Sequence, residues 1–206
     1  MTPFIRCLAL ALALAGSTSS LHADANWLEN GDFTDGTTHW RGNGRTPADY
    51  ASGNPFEKQD GFTATGLIME LRGRDWDKIE QDFRGRQTHG ILTITYKLSP
   101  DLAFSDKPQD YQNMPSKLRF DGWAPFKIPQ NNWVVFIADS GSAHGTYWHI
   151  APKMGSSEPQ TVHLRVGGLT ALENKTITIG FPPGTGKIVL LHIGISDQGG
   201  GEAPGL

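Results

Sequence analysis

Short runs in which apolar and polar residues alternate are the sequence feature that most restricts the fold of this chain. Between residues 66 and 72, Leu67, Met69 and Leu71 fall on one side of an extended chain. Lys78–Phe83 repeats this pattern. A period of two is typical of β-strands that are buried on one face. Beyond the first 23 residues no segment of useful length has a helical period, so we expect an all-β fold.

Further runs of this kind predict a single antiparallel β-sandwich of about nine strands. Turn residues separate the runs, since the chain contains 25 glycines and 13 prolines. Pro182–Gly186 joins the last two runs and predicts a hairpin, with the final strand beside its predecessor and near the first strand. The longest early run, Gly90–Lys97, is expected in the centre of a sheet. The runs are Gly90–Lys97, Trp133–Asp139, Tyr147–Ala151, Gln160–Val166, Thr176–Phe181 and Lys187–Ile195.

The N-terminal residues have the pattern of a secretory leader. Arg6 precedes the apolar run Leu8–Ala15, and small residues follow as far as Ala23. We predict a signal peptide over 1–23, one β-sandwich domain over 24–198 and a flexible tail over 199–206. The only cysteine, Cys7, lies in the leader, so the mature domain has no disulfide. The apolar run is too short to cross a bilayer, and we expect a secreted or periplasmic protein without a transmembrane segment.

Charge and motif patterns exclude several functions. The formal net charge is −3 at pH 7, which provides no basic surface for nucleic acid. The histidines show no His-x-x-x-His spacing, and no serine lies in a Gly-x-Ser-x-Gly elbow. We therefore assign no catalytic residue and no metal ligand.

Two segments of the chain carry a family resemblance. Asn26–Gly36, followed by Trp40, reads Asn-Trp-Leu-Glu-Asn-Gly-Asp-Phe-Thr-Asp-Gly. It resembles the N-terminal signature of carbohydrate-binding modules of the xylan- and cellulose-binding type. Gly73–Phe83, where a Trp precedes a strand that ends in Gln-x-Phe, is similar to their second landmark. The resemblance implies a galactose-binding-like jelly roll that binds carbohydrate without cleaving it.

The same resemblance bears on calcium. Many relatives hold a structural calcium with a Glu after the signature Phe and with paired acids in the closing strand. This chain has Thr34 after Phe33, and its closing strand reads Leu-Leu-His-Ile over 190–193, with no acid before Asp197. We therefore expect no cofactor, and a structural calcium remains the alternative.

Sugar recognition uses flat aromatic faces for the rings and amides, carboxylates or guanidinium groups for the hydroxyls. The chain between Ser99 and Trp133 carries aromatic residues among prolines, outside any strand pattern. We expect sugar binding in this loop. Its candidate ligand-binding residues are Trp123, Tyr111, Arg119 and Asp121.

A predicted strand supplies a second group of candidates. Tyr147 and His149 share one of its faces and Trp148 lies on the other, so one face or the other lines a binding groove. Four further tryptophans are expected to have structural roles in the core or at the family landmarks. These are Trp27, Trp40, Trp76 and Trp133.

Two other functions remain open beside a secreted, non-catalytic module that recognises a polysaccharide or oligosaccharide by aromatic stacking. One is a small exported polysaccharide lyase or glycoside hydrolase. Glu70-Leu71-Arg72 resembles a motif of jelly-roll alginate lyases, although their tyrosine-rich strand is not found. A hydrolase would need a pair of carboxylates across a cleft. The other is a structural or adhesive surface domain without a small ligand. The oligomeric state is left open.

A chelator should leave the fold intact. Calcium takes about 6–8 oxygen ligands, and the acids that supply them in the relatives are missing at these positions. We expect the same melting temperature with and without EDTA. A melting temperature that falls by many degrees in EDTA would show that backbone carbonyls together with Asp32 or Asp35 build a calcium site.

Overall fold

The computed structural model describes residues 26–44, 66–71, 73–85, 88–107, 131–140, 145–167 and 174–197. In these residues every regular element is a β-strand, which confirms the predicted all-β fold. The predicted signal peptide and tail lie outside the described residues, and the domain limits stay predictions. The strands are β1 (Arg41–Gly42), β2 (Leu67–Glu70), β3 (Asp77–Arg84), β4 (His89–Leu98), β5 (Ala103–Phe104), β6 (Trp133–Asp139), β7 (Gly145–Ile150), β8 (Gln160–Gly167), β9 (Asn174–Phe181), β10 (Gly184–Thr185) and β11 (Lys187–Asp197).

The long strands form two antiparallel sheets around one core. The five-stranded sheet has the order β1-β3-β9-β6-β7, and the four-stranded sheet has the order β2-β11-β4-β8. The short strands β5 and β10 pair with each other. β4 lies between two neighbours, as its long alternating run predicts.

Alternate residues of the two sheets fill the core between them. Trp133 of β6 lies at its centre, where its ring meets Tyr96 edge-on at 4.7 Å and Phe181 at 4.9 Å between centroids. Burial of such large apolar side chains contributes about 1.5–3 kcal/mol each. The four tryptophans expected in structural roles are all buried: Trp27, Trp40, Trp76 and Trp133.

The predicted hairpin between the last two long strands is wrong. β9 lies in the five-stranded sheet and β11 in the four-stranded sheet, so Pro182–Gly186 carries the chain from one sheet to the other. The apolar faces of both strands cover the same core, which places the strands on opposite sides of it. Prolines in the crossing also lack the N–H that a ladder requires. The final strand does lie near the first of the predicted runs, since β11 pairs with β2, which corresponds to that run.

An irregularity in β11 changes which of its residues point inward. Its register with β4 shifts between Leu190 and His192, as in a β-bulge. Before the shift the residues of even number face the core, and after it Ile193 and Ile195 do so. The bulge therefore places three residues on the outer face of the four-stranded sheet: His192, Gly194 and Ser196.

Side-chain amides attach residues 26–31 to both sheets. In the five-stranded sheet, buried Gln81 accepts a hydrogen bond from the Glu29 N–H at 2.9 Å and donates one to the Glu29 carbonyl at 2.8 Å. In the four-stranded sheet, the Asn26 side chain accepts a hydrogen bond from the Ile195 N–H at 2.9 Å. These amides satisfy backbone groups that would otherwise need a strand partner. The Gln-x-Phe landmark therefore has a structural role.

Replacing Gln81 with alanine should lower the free energy of unfolding by about 1–3 kcal/mol, because the backbone groups of Glu29 lose their partners. Urea unfolding checks this. Glu29→Ala is the matched control, since it removes only the exposed contact between the Glu29 carboxylate and His39 Nδ1, which is expected to contribute less than about 1 kcal/mol. Equal losses in the two variants would show that the Gln81 amide does not hold the segment.

Candidate functional site

Tyr147 and His149 face away from the core. Trp148, between them in β7, packs against the main hydrophobic core, so Tyr147 and His149 are the pair on the outer face. Tyr147 packs instead against Phe136 on the outer face of the five-stranded sheet. Both candidate side chains are half-buried there.

The candidates in the loop between Ser99 and Trp133 are not placed by the structure. Tyr111, Arg119, Asp121 and Trp123 lie outside the described residues. The Glu70 position of the lyase-like motif lies opposite Lys187 at the edge of the four-stranded sheet. The arginine of that motif is also outside the described residues.

Strand register brings five side chains into one line across the outer face of the five-stranded sheet. Arg41 pairs with Glu80, Glu80 with Thr178, Thr178 with Phe136, and Phe136 with Tyr147. Because neighbouring strands lie about 4.8 Å apart, this line spans about 19 Å. We call it the outer row. It joins a charged end to an aromatic end.

The charged end of the outer row belongs to an ion-pair network. Arg41 Nη1 lies 2.7 Å from Asp82 Oδ2, and Arg41 Nε lies 3.6 Å from Glu80 Oε1. Lys78 Nζ lies 3.1 Å from Glu80 Oε2, and the Thr176 hydroxyl donates to Asp82 Oδ1 at 2.6 Å. The hydrogen bond with Asp82 is the main cause of the raised pKa of Arg41. Two cations and two carboxylates balance within the network.

The aromatic end of the outer row is a stacked pair. The rings of Phe136 and Tyr147 lie 4.5 Å apart between centroids with 30° between their planes. Gly145 allows this arrangement, because a Cβ at that position would lie 2.5 Å from the Phe136 ring. The pair is therefore fixed by the backbone next to it.

Exposure differs along this face. Phe136 and Thr178 are each 2% exposed, whereas Arg41, Asp82 and Gly145 are exposed. The accessible groups are thus Arg41 and Asp82 at the charged end and the half-buried Thr176 beside them. At the aromatic end, the half-buried Tyr147 ring is accessible at its rim. Such a surface can donate and accept hydrogen bonds beside an apolar contact.

Only part of this arrangement can be predicted from the sequence. Alternation predicts that Glu80 and Asp82 share the outward face of one strand, and the structure confirms it. Arg41 gives no such signal, because it lies in a strand of two residues outside any alternating run. The pattern of one strand shows which residues share a face, but it does not show which strand lies beside it.

Two further findings concern the described part of the chain only. No group of three or more histidine, cysteine, aspartate or glutamate side chains lies together there in a way that could hold a metal ion. No helix in it is long and apolar enough to span a membrane. The expected tolerance to chelation stays a prediction.

The sequence matches no family model and no curated protein. Its fold is similar to solved structures. One is a family 61 carbohydrate-binding module in complex with β-1,4-galactotriose, with a TM-score of 0.51 and 11% identity over 84% of this chain and 99% of that chain. The fold is the jelly roll of carbohydrate-binding modules.

Two longer chains contain the same fold. The enzymatically active domain of tailspike protein 4 from bacteriophage CBA120 has a TM-score of 0.50 and 10% identity, over 83% of this chain and 21% of that chain. An arabinose-bound α-L-arabinofuranosidase has a TM-score of 0.50 and 9% identity, over 84% of this chain and 26% of that one. The chain thus spans about a quarter or less of these two proteins. At such identities the likeness shows the fold alone.

Burial lowers the pKa of His149 below its ordinary value. The unfolded chain then takes up a proton near pH 6.5, before the folded chain does, so the free energy of unfolding falls as the pH drops below about 6.5. His149→Gln should remove this contribution and flatten the dependence of the urea midpoint on pH between about 7.5 and 5.

The matched control is His163→Gln, which replaces an exposed histidine on the four-stranded sheet. We expect the flattened pH dependence in His149→Gln and not in this control. If the midpoints of the wild type and His149→Gln change in parallel with pH, burial of this imidazole does not affect stability.

Proposed function

We propose that this chain is an exported, non-catalytic β-sandwich that binds a polysaccharide or oligosaccharide on the outer face of the five-stranded sheet. The outer row is the observation that supports this proposal most directly. It combines an aromatic pair, Phe136 and Tyr147, with a carboxylate and a guanidinium group on one face. The Asp82 carboxylate and the Thr176 hydroxyl lie beside its charged end. Sugars are recognised by this combination of apolar and hydrogen-bonding groups.

The internal balance of the ion-pair network fits a ligand that is rich in hydroxyls. Arg41 and Lys78 both have carboxylate partners, and the carboxylates keep oxygen lone pairs that can accept hydrogen bonds from hydroxyls. Hydrogen bonds to charged groups contribute about 1.5–3 kcal/mol. Stacking on the rim of Tyr147 would add apolar contact to them.

Binding is favoured over hydrolysis at this face. A hydrolase needs one carboxylic acid that carries a proton to the leaving group. Glu80 and Asp82 both lie beside cations, and a neighbouring cation favours the charged form of a carboxylate. This pair therefore lacks the environment of a general acid.

The loop between Ser99 and Trp133 remains a second proposed binding surface. Trp123 is its main aromatic candidate, with Tyr111, Arg119 and Asp121 as hydrogen-bonding or stacking partners. If this loop carries the affinity, Trp123→Ala should weaken binding without changing the melting temperature. The same variant leaves affinity unchanged if the outer row carries it.

A glycan array combined with a reducing-end release assay on the same sample tests the function. We expect binding to at least one glycan and no release of reducing ends. Release of reducing ends would indicate a hydrolase, and release accompanied by ultraviolet absorption of unsaturated ends would indicate a lyase. Binding to no glycan would favour a structural or adhesive domain.

Variants of the outer row test where the glycan binds. Tyr147→Ala should weaken binding about tenfold or more, because an aromatic contact contributes about 0.5–1.5 kcal/mol beyond the area it buries. Arg41→Ala should also weaken binding, because the Asp82 carboxylate loses the guanidinium group that holds it in position. Calorimetry with the glycan found on the array measures both effects.

Arg165→Ala is the matched control. Arg165 is exposed on β8, on the outer face of the opposite sheet, and its replacement should leave affinity unchanged. An equal loss in Arg41→Ala and Arg165→Ala would point to a general electrostatic effect. Full affinity in both Tyr147→Ala and Arg41→Ala would overturn the assignment of the site.

A further inference from the structure

A small pocket lies on the outer face of the four-stranded sheet, on the side of the molecule opposite the outer row. Its volume is about 150 Å³, and it is lined by Asn26, Thr93, His192, Gly194, Ile195 and Ser196. We call it the Gly194 pocket.

The backbone explains why a pocket forms at this place. The bulge in β11 puts His192, Gly194 and Ser196 in succession on the outer face, so two side chains flank a residue without one. Thr93 lies directly across from Gly194 on β4. A Cβ on Gly194 would lie 2.7 Å from His192 Nε2 and 3.2 Å from both polar atoms of the Asn26 amide. The imidazole and the amide thus converge above the glycine.

The walls of the Gly194 pocket offer hydrogen-bonding groups with spare capacity. Within the described residues, neither the His192 ring nor the Ser196 hydroxyl forms a hydrogen bond. The Asn26 amide donates only one of its two N–H groups, to the Ile193 carbonyl at a long 3.4 Å. Thr93 is held in place by His163 Nδ1 at 3.0 Å. A ligand would therefore meet donors and acceptors on four sides.

The charges around the pocket favour a neutral ligand. Asp32 lies near His192: hydrogen bonds from Thr34 are the main cause of the lowered pKa of Asp32, and His192 adds a smaller contribution. A carboxylate in this position disfavours an anion. A transition metal needs several imidazole, thiolate or carboxylate ligands, and the described residues contain no group of three such side chains.

The size of the pocket limits the ligand to one small ring. The His192 imidazole and the Asn26 amide already cover Gly194, so the free space lies beside these side chains and is confined to about 150 Å³. Ligand pockets for larger molecules have about 300–1,000 Å³. An imidazole, an amide and two hydroxyls around an opening of this size match the hydroxyls of a single pyranose.

We propose that the Gly194 pocket is a second carbohydrate site, which binds one neutral sugar ring. The site is independent of the outer row, because it lies on the other sheet and shares no residue with it. It gives the sandwich a binding surface on each side.

The test follows the His192 ring by NMR while D-galactose, D-glucose and D-xylose are titrated separately into the exported protein. A His192→Gln variant assigns the ring resonance. In the wild type, at least one sugar should shift this resonance saturably. Gly194→Ala should weaken that binding at least tenfold, because its methyl group would displace the His192 imidazole and the Asn26 amide that line the pocket. Ser196→Ala should weaken it about two- to tenfold through the loss of one hydrogen bond.

Melting temperatures show whether each variant is folded. If Gly194→Ala fails to fold, Ser196→Ala decides the question, and unchanged affinity in that variant overturns the proposal. The absence of a saturable shift with all three sugars also overturns it. Tyr147→Ala separates the two sites: it should leave the His192 shift intact, and loss of the shift in that variant would place the bound sugar on the outer row.

Discussion

The structure depends on the amide of Gln81, a polar side chain that is only 2% exposed. It accepts a hydrogen bond from the Glu29 N–H, donates one to the Glu29 carbonyl, and so fixes residues 26–31 against the five-stranded sheet. Asn26 fixes the same segment to the last strand of the four-stranded sheet. One short segment therefore links the two sheets at an edge of the sandwich, where an apolar core alone would leave backbone groups without partners.

The attachment of this segment also shapes the outer faces of both sheets. β2 pairs with β11 only as far as Leu190. Beyond that point, the N-terminal segment lies beside residues 193–195 of β11 instead. The bulge at that point turns His192 and Gly194 outward, and Asn26 becomes a wall of the Gly194 pocket. On the other sheet, the residue after Trp40 begins β1 and adds a guanidinium group to the carboxylates of β3. The two proposed sites therefore both depend on how the N-terminal segment is attached.

Local patterns predicted much of the fold, because alternation along one strand is decided by the strand itself. Leu67 and Met69 point into the core as alternation requires, and the resemblance at Asn26–Gly36 led to the correct architecture. The hairpin after Phe181 was wrong because the sequence cannot distinguish a turn within a sheet from a crossing between sheets. The outer row could not be predicted, since it requires the register of strands that are far apart in sequence. Arg41 is the clearest example, because nothing near it marks a binding residue.

The central claim is that the outer face of the five-stranded sheet binds glycan. Hydrogen–deuterium exchange of the whole protein, with and without the glycan found on an array, tests it most directly. When glycan is bound, we expect slower exchange in residues 78–82, 134–138, 145–149 and 174–180. Exchange in residues 161–165, at the edge of the other sheet, should not change. Slower exchange confined to the four-stranded sheet, or to the loop between Ser99 and Trp133, would contradict it.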